Sequence, residues 1–276
     1  MLTAGWESAS NSVSPKRFNN RRQVAIAKAC NLCFATPTPL PNNSDEEKMK
    51  RILLLTLAAF IGTSGISQAN DEWKSLFDGK TLKGWEGKKG FWSVADGAIT
   101  GKTTKENPTK GNTFLIWKDG ETGDFELHLK FKIIGGNSGI QYRSEALDDF
   151  VVKGYQADID TGGHRYMGIL YGERTGRGII GERSEKVTYS VDGKKTVDGK
   201  TCDNEKFKAS IKTEDWNDYV IIAKGDRLIH KVNGTTTCDV YDNDKRKVAS
   251  GILALQLHAG PPMTVQFKEI KMKELK

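Results

Sequence analysis

Asp124-Phe125-Glu126-Leu127-His128-Leu129-Lys130-Phe131-Lys132-Ile133 alternates apolar and polar residues without a slip. A period of two puts Phe125, Leu127, Leu129, Phe131 and Ile133 on one face of an extended chain and the charges on the other. That is the pattern of a β-strand covered on one side only. Shorter runs of the same kind recur around it, at 91–94, 98–101, 113–117, 139–143, 155–160, 168–171, 219–223, 228–232, 251–258 and 264–272. Ala95-Asp96-Gly97, Gly135-Gly136-Asn137 and Val232-Asn233-Gly234 punctuate them as turns. With almost no helical period after Ile61, this predicts an all-β antiparallel sandwich or jelly roll. Residues 176–208 are charged and turn-rich, and read as a long excursion with a hairpin around Val191-Asp192-Gly193.

The 276 residues carry a net charge of +7. Residues 1–69 hold eight Lys/Arg and four Asp/Glu, so +7 less +4 leaves +3 for the rest, with both signs interspersed. No basic stripe of the kind phosphate contacts need is present, and nucleic acid is not an expected partner. Met49-Lys50-Arg51, the apolar run Ile52 to Ile61 and Ser67-Gln68-Ala69 have the layout of a cleavable secretory signal. The run is too short for a membrane span, which needs about 20 residues. The expectation is therefore a start at Met49, cleavage after Ala69, a secreted or periplasmic bacterial protein and no membrane contact once cleaved. On this reading residues 1–48, with Cys30 and Cys33 lacking partner ligands, are a non-native or disordered extension. Residues 70–276 then form one domain of 207 residues. Cys202 and Cys238 stand in a compartment that permits a disulfide, and the sequence leaves open whether they form one.

Three strands break the rule of apolar inside, charge outside. Gly139-Ile140-Gln141-Tyr142-Arg143-Ser144-Glu145 aligns Gln141, Arg143 and Glu145. Tyr155-Gln156-Ala157-Asp158-Ile159-Asp160 aligns Gln156, Asp158 and Asp160. Leu253-Ala254-Leu255-Gln256-Leu257-His258 aligns Gln256 and His258. If these strands are neighbours, one patch of Arg, Asp, Gln and His results, flanked by Tyr166, Tyr171 and Trp216. Amides and carboxylates suit sugar hydroxyls, and aromatic rings accept the apolar faces of pyranoses. Asp158, facing an Arg and a His, is a candidate general base, with His258 and Arg143 beside it. Gln141, Gln156, Asp160, Tyr171, Glu173, Trp216 and Gln256 are candidate sugar-binding residues. No G-x-S-x-G, H-E-x-x-H or phosphate-binding glycine loop occurs. No metal or cofactor is expected; calcium at Asp158, Asp160 or the Asp148-Asp149 pair lacks a D-x-D-x-D-G loop to support it.

Several ordered motifs carry a family resemblance. They are Ser75-Leu76-Phe77-Asp78-Gly79-Lys80-Thr81-Leu82-Lys83-Gly84-Trp85, Trp92-Ser93-Val94-Ala95-Asp96-Gly97, Asn137-Ser138-Gly139-Ile140 with Arg143, Trp216-Asn217-Asp218-Tyr219, Asn233-Gly234, and Leu255-Gln256-Leu257-His258 before Val265-Gln266-Phe267-Lys268-Glu269-Ile270. Together, from about Trp73 to Leu275, they resemble the 3-keto-disaccharide hydrolase family of exported bacterial proteins. The resemblance implies a concanavalin A-like jelly roll with its site on the concave sheet, and cleavage of glycosides already oxidised at C3. It also implies a route: a base takes the C2 proton, the C1 substituent leaves, and water adds back. Asp158 or His258 would be the base, and Arg143 with Gln256 would stabilise the enolate. Direct hydrolysis by two carboxylates is the competing route. One departure stands out. Many relatives have Tyr-Glu-Val-Gln where this chain has Tyr155-Gln156-Ala157-Asp158, so the carboxylate lies two residues later on the same face. A non-catalytic carbohydrate-binding module on the same fold is therefore the second reading, and a purely structural extracellular domain the third.

Overall fold

A computed structural model of the chain describes residues 72–161 and 165–276. The export signal, the start at Met49 and the Cys30/Cys33 pair lie outside the described residues. The strands in chain order are β1 (Lys74–Ser75), β2 (Trp85–Gly87), β3 (Trp92–Ala95), β4 (Ala98–Lys102), β5 (Thr113–Trp117), β6 (Phe125–Ile134), β7 (Asn137–Ala146), β8 (Val152–Asp160), β9 (Leu170–Glu173), β10 (Gly178–Gly181), β11 (Glu185–Tyr189), β12 (Lys195–Lys200), β13 (Asn217–Lys224), β14 (Arg227–Val232), β15 (Thr235–Asp242), β16 (Ile252–Leu257) and β17 (Thr264–Glu274). They form two sheets. One runs β12-β11-β15-β14-β13-β6-β17-β4-β3, with β1 also paired to β17; the other runs β10-β9-β8-β7-β16-β5-β2. Among the described residues only the β11–β15 pairing is parallel. The architecture is the expected all-β, concanavalin A-like jelly-roll sandwich.

The quoted strand behaves as its alternation predicts. β6 lies between β13 and β17, with Phe125, Leu127, Leu129, Phe131 and Ile133 all buried. Each such side chain contributes about 1.5–3 kcal/mol on leaving water. Gly135 and Gly136 then carry the chain from one sheet into the other in two residues, at φ +69° and +70°. A side chain there would meet the Pro262 carbonyl at 3.1 Å or the Met263 sulfur at 3.0 Å, so glycine is required on both counts.

The core lies between the sheets. From the seven-stranded sheet Tyr155, Ala157 and Ile159 of β8 and Leu253, Leu255 and Leu257 of β16 face it. Their strand neighbours Gln156, Asp158, Asp160 and Gln256 face the opposite way by the period of two. β8 is also anchored from behind. The Tyr155 hydroxyl donates to Asp242 at 2.5 Å, and Arg177 clamps the same carboxylate through two bonds of 2.6 and 3.0 Å. Both partners of that ion pair are buried, at 3% and 1% exposure, so β8 cannot slide without breaking the Tyr155 hydrogen bond to a desolvated, paired carboxylate.

One expectation is corrected here, and one question the sequence left open is answered. The 176–208 segment contains the expected hairpin, with the turn between Ser190 and Lys194, but it is not a loop. It supplies β10, β11, β12 and a short helix α1 (Asn204–Ser210), and β11 joins the ten-stranded sheet beside β15. The helix starts at Asp203, whose carboxylate accepts the N–H groups of Glu205 and Lys206, and it buries Phe207. Cys202 and Cys238 both carry free thiols. Burial pushes the Cys238 thiol up to about 12.

Candidate active site in the seven-stranded sheet

On the face of this sheet turned away from the core lies a hollow of about 660 Å³. That is ample for a drug-sized or disaccharide-sized ligand, for which sites of about 300–1,000 Å³ are usual. β8 supplies Gln156, Asp158 and Asp160 to its walls; β7 supplies Asn137, β16 supplies Gln256, and His258 follows just beyond it. β9 contributes Tyr171 and Glu173, with Tyr166, Ile179, Pro261 and Met263 making the apolar side. Asn112, next to β5, and Glu173 of β9 line the same hollow although three strands separate β5 from β9. Side chains from strands so far apart can wall one hollow only if the sheet curls, so the hollow is the trough of a concave sheet.

An amide chain fixes the floor. Gln156 Oε1 accepts from Gln141 Nε2 at 2.7 Å and from Gln256 Nε2 at 2.9 Å. With its oxygen so engaged, the Gln156 amide nitrogen must face the other way, and it donates to Asp158 Oδ2 at 3.0 Å. Asn137 Nδ2 donates to the second carboxylate oxygen at 2.7 Å. Gly139 makes room for this: it pairs with Asp158 across β7 and β8, and a Cβ on it would stand 2.5 Å from Gln156 Cγ. Gln256 Oε1 is buried against the hollow and has no hydrogen-bond partner. It is an acceptor ready for a ligand hydroxyl.

Burial dominates the electrostatics. Asp158, 5% exposed, is pushed up to about 7 by desolvation, with Asp160 and Glu173 adding to the rise against the two amide donors. Burial likewise raises Glu173, opposed by the nearby Arg174 and Asn112. Tyr171 is raised by burial and by the nearby Glu173 and Asp158. His258 Nδ1 lies 2.5 Å from the Ala259 carbonyl, which can only accept. Nδ1 therefore carries the proton, leaving Nε2 as the free acceptor when the ring is neutral. Among the described residues, no group of three or more His, Cys, Asp or Glu side chains is placed to hold a metal ion. Asp149 pairs with Lys88 at 2.6 Å, outside the hollow.

The structure thus brings Gln156, Asp158, Asp160, Tyr171, Glu173, Gln256 and His258 to one hollow. Gln141 lies beneath it, fully buried, as the support of Gln156. Arg143 does not come. At φ +45° the backbone turns out of the pleat, the β7–β8 register shifts between Tyr142 and Glu145, and Arg143 leaves the face of Gln141. Its guanidinium, 2% exposed, bonds Asp124 Oδ1 and the carbonyls of Gly123 and Gly225, each at 2.8 Å. Trp216 is elsewhere too: Lys132 of β6 and Lys268 of β17 stack on its ring at 5.0 and 4.1 Å, which puts it against the ten-stranded sheet. Sequence reasoning missed Asn137 and Asn112. The first could have been found, because β7 begins at Asn137 and the period of two then groups 137, 139 and 141.

Solved structures share the fold. A candidate glycosyl hydrolase from Parabacteroides distasonis is 20% identical with a TM-score of 0.50, covering 74% of this chain and 100% of its own. A second from the same organism is 16% identical at 0.49, covering 76% and 97%. A carbohydrate-binding module from Bacillus subtilis is 16% identical at 0.46, covering 69% and 96%. No curated protein sequence matched the chain. Residues 72–273 match the 3-keto-alpha-glucoside-1,2-lyase-like domain along nearly the whole described sandwich, and the chain accordingly belongs to that carbohydrate-active family.

Proposed function

We propose that the hollow takes a glycoside oxidised at C3 of its sugar and cleaves the bond at C1 by elimination followed by addition of water. The observation that carries this is Asp158, a buried carboxylate pinned by two amides at the floor of a sugar-sized hollow and pushed up to about 7. A base poised near the working pH is what proton abstraction beside a carbonyl needs.

The C3 carbonyl acidifies the C2 proton. Asp158 takes that proton, and the electron pair moves onto the C3 oxygen. As the carbonyl re-forms, a double bond forms between C1 and C2 and the bond from C1 to the leaving oxygen breaks. Glu173, whose burial favours the protonated form, gives that oxygen its proton. Water then adds: hydroxide to C1, the water proton through His258 back to Glu173, and the Asp158 proton to C2. With Arg143 out of reach, the Tyr171 hydroxyl, on the strand beside Asp158, serves as a donor for the enolate oxygen. Asp158 and Asp160 project from one face of one strand and do not flank a glycosidic bond; direct hydrolysis would fall to Asp158 with Glu173, and the label at C2 tells that route from elimination.

The test is turnover of aryl 3-keto-glucosides and 3-keto-disaccharides by the purified protein, with C2-deuterated substrate alongside. A primary isotope effect, C2 deuterium gained from heavy water during turnover, and loss of both with Asp158→Asn support the proposal. Turnover with neither sign at C2 means direct hydrolysis. Thermal stabilisation by the sugars without turnover means a binding module.

A further inference from the structure

Each amide in the floor has a direction, and Asp158 sets it. An ionised carboxylate only accepts, so Gln156 must offer it the Nε2 hydrogen and turn its own oxygen the other way. That oxygen takes Nε2 of Gln141 and Nε2 of Gln256. The Gln141 oxygen in turn accepts from the Ser144 hydroxyl. The Gln256 oxygen has no such partner, although the side chain is fully buried and lines the hollow. Nor do the strands on either side of it supply one. Leu255 pairs with Ile140, which sets Gln256 opposite Gly139, and on its other side Gln256 pairs with Phe114. Glycine has no side chain and phenylalanine has no donor. A buried acceptor left in this state is costly unless a group entering the hollow completes it.

We infer that Gln256 reads the hydroxyl at C4 of the keto sugar, so that the site takes 3-keto-glycosides only with that hydroxyl free; the inference rests on the hollow being the keto-glycoside site. Gly139 pairs in turn with Asp158, so one row across β16, β7 and β8 runs Gln256, Gly139, Asp158. Neighbouring strands lie about 4.8 Å apart, which separates the two outer backbones by about 10 Å. Bridged by the Gln156 amide above Gly139, their side chains face a single pyranose. Glu173 stands on β9, across β8 from Gln256. With the leaving oxygen towards Glu173 and C2 over Asp158, the ring carbon opposite C1 points to Gln256, and that carbon is C4. Its hydroxyl donates to Oε1. An unpaired oxygen cannot donate to an enolate, so substrate selection replaces the enolate role that the sequence suggested for Gln256. An internal residue of a 1,4-linked chain has no hydrogen on that oxygen, so only terminal keto sugars are cleaved.

The experiment compares an aryl 3-keto-glucoside with its 4-deoxy, 4-deoxy-4-fluoro and 6-deoxy analogues on the purified protein. Fluorine fills the place of the hydroxyl but cannot donate. Leaving a buried acceptor unpaired should lower kcat/KM about tenfold to 100-fold for the 4-deoxy compound, and fluorine should recover less than about threefold of that loss. The 6-deoxy compound should stay within about threefold of the parent, and Gln256→Met should turn over the parent and the 4-deoxy compound within about threefold of each other, whatever its overall activity. A 4-deoxy compound as good as the parent, a loss found at C6 in place of C4, a fluoro compound that restores activity, or a loss that folded Gln256→Met leaves unchanged overturns the inference. If Gln256→Met does not fold, the deoxy and fluoro pair on the unaltered protein decides. If the compounds bind without turnover, the same ratios are read from dissociation constants. A parent that reacts no better than its 4-deoxy analogue sinks this inference alone; a parent that neither binds nor reacts means the keto-glycoside reading has failed, and this inference with it.

Discussion

Asp158→Asn is expected to inactivate the protein and to stabilise it above neutral pH. The carboxyl is displaced from 3.8 to about 7, which corresponds to about 4 kcal/mol at about 1.4 kcal/mol for each tenfold in proton affinity. The side chain is 5% exposed, so solvent screening takes little from that figure. Because the folded-state value is raised, the folded protein holds the proton more tightly than the unfolded chain. Below about pH 4 the carboxyl is neutral in both states and costs nothing; between about 4 and 7 the unfolded chain ionises first and stability is lost; above 7 the full cost applies. Asparagine carries no charge, but its own amide nitrogen must face either Asn137 or Gln156, and that lost bond costs about 1–2 kcal/mol. The net is a gain of about 2 kcal/mol at pH 8 and a small loss at pH 4. For a domain of this size that is a Tm rise of about 4–8 °C at pH 8, at about 2–4 °C per kcal/mol. Thermal melts followed by circular dichroism across pH 4 to 8 read it directly. A variant that melts below the unaltered protein at pH 8, or a difference that does not change with pH, refutes the claim that a desolvated carboxylate sits at the floor.

Arg143→Met removes three bonds and leaves the Gly123 and Gly225 carbonyls without their guanidinium donor, while Asp124 keeps the Gly225 N–H at 3.0 Å. Urea unfolding should show a loss of about 3–5 kcal/mol, while kcat of the folded protein stays within about twofold; a large fall in kcat at full folding would return Arg143 to the chemistry. Gly139→Ala pushes a methyl group into Gln156, whose Cγ, Cδ and Nε2 stand 2.5, 2.6 and 2.9 Å from it. Since misplacing a site group by an ångström can cost up to about 100-fold, kcat/KM should fall roughly tenfold or more; a value near that of the unaltered protein would mean Gln156 does not hold Asp158. Trp216→Leu should leave sugar binding and turnover within about twofold, because its ring lies under Lys132 and Lys268 on the other sheet.

The strands were legible because their alternation is a direct image of one covered face, and β6, β8 and β16 follow it residue by residue. That regularity also placed Gln156, Asp158 and Asp160 on the face opposite Tyr155, Ala157 and Ile159. Arg143 was misread for the same reason: a period of two holds only while the pleat is unbroken. The break has a signature in the sequence, visible in the strands on either side. Gly154 of β8 and Gly251 just before β16 both close on Ser144, where a Cβ would stand 2.2 Å from the Ser144 hydroxyl or 2.3 Å from its carbonyl. Two glycines opposite one point of a strand mark a bulge, but only once the pairing register is known. Trp216 precedes β13 after a turn, and no period extends across a turn to say which sheet its ring meets.

The bulge also divides the concave face in two. On one side of it Phe114, Ile116, Val152 and Ala254 form an apolar patch closed by Phe150 and Ile252. On the other side lie the amides and carboxyls of the hollow. Gln141 stands on the boundary, paired across the sheet with Ala254 on one side and Gln156 on the other. Its oxygen accepts from Ser144 of the bulge at 3.0 Å, and its nitrogen donates to Gln156. Gln156 is therefore oriented from its dry side, by groups that water does not reach, and Asp158 takes its donor from Gln156 in turn. Two amide donors in water-accessible surroundings would pull a carboxylate below its ordinary value. Here the same two donors are outweighed by desolvation, because the apolar patch and the buried amide chain leave water no approach except through the hollow. The property that suits Asp158 to proton transfer thus originates in the dry side of the sheet behind Gln156, while Arg143 is turned away from the hollow into bonds of its own.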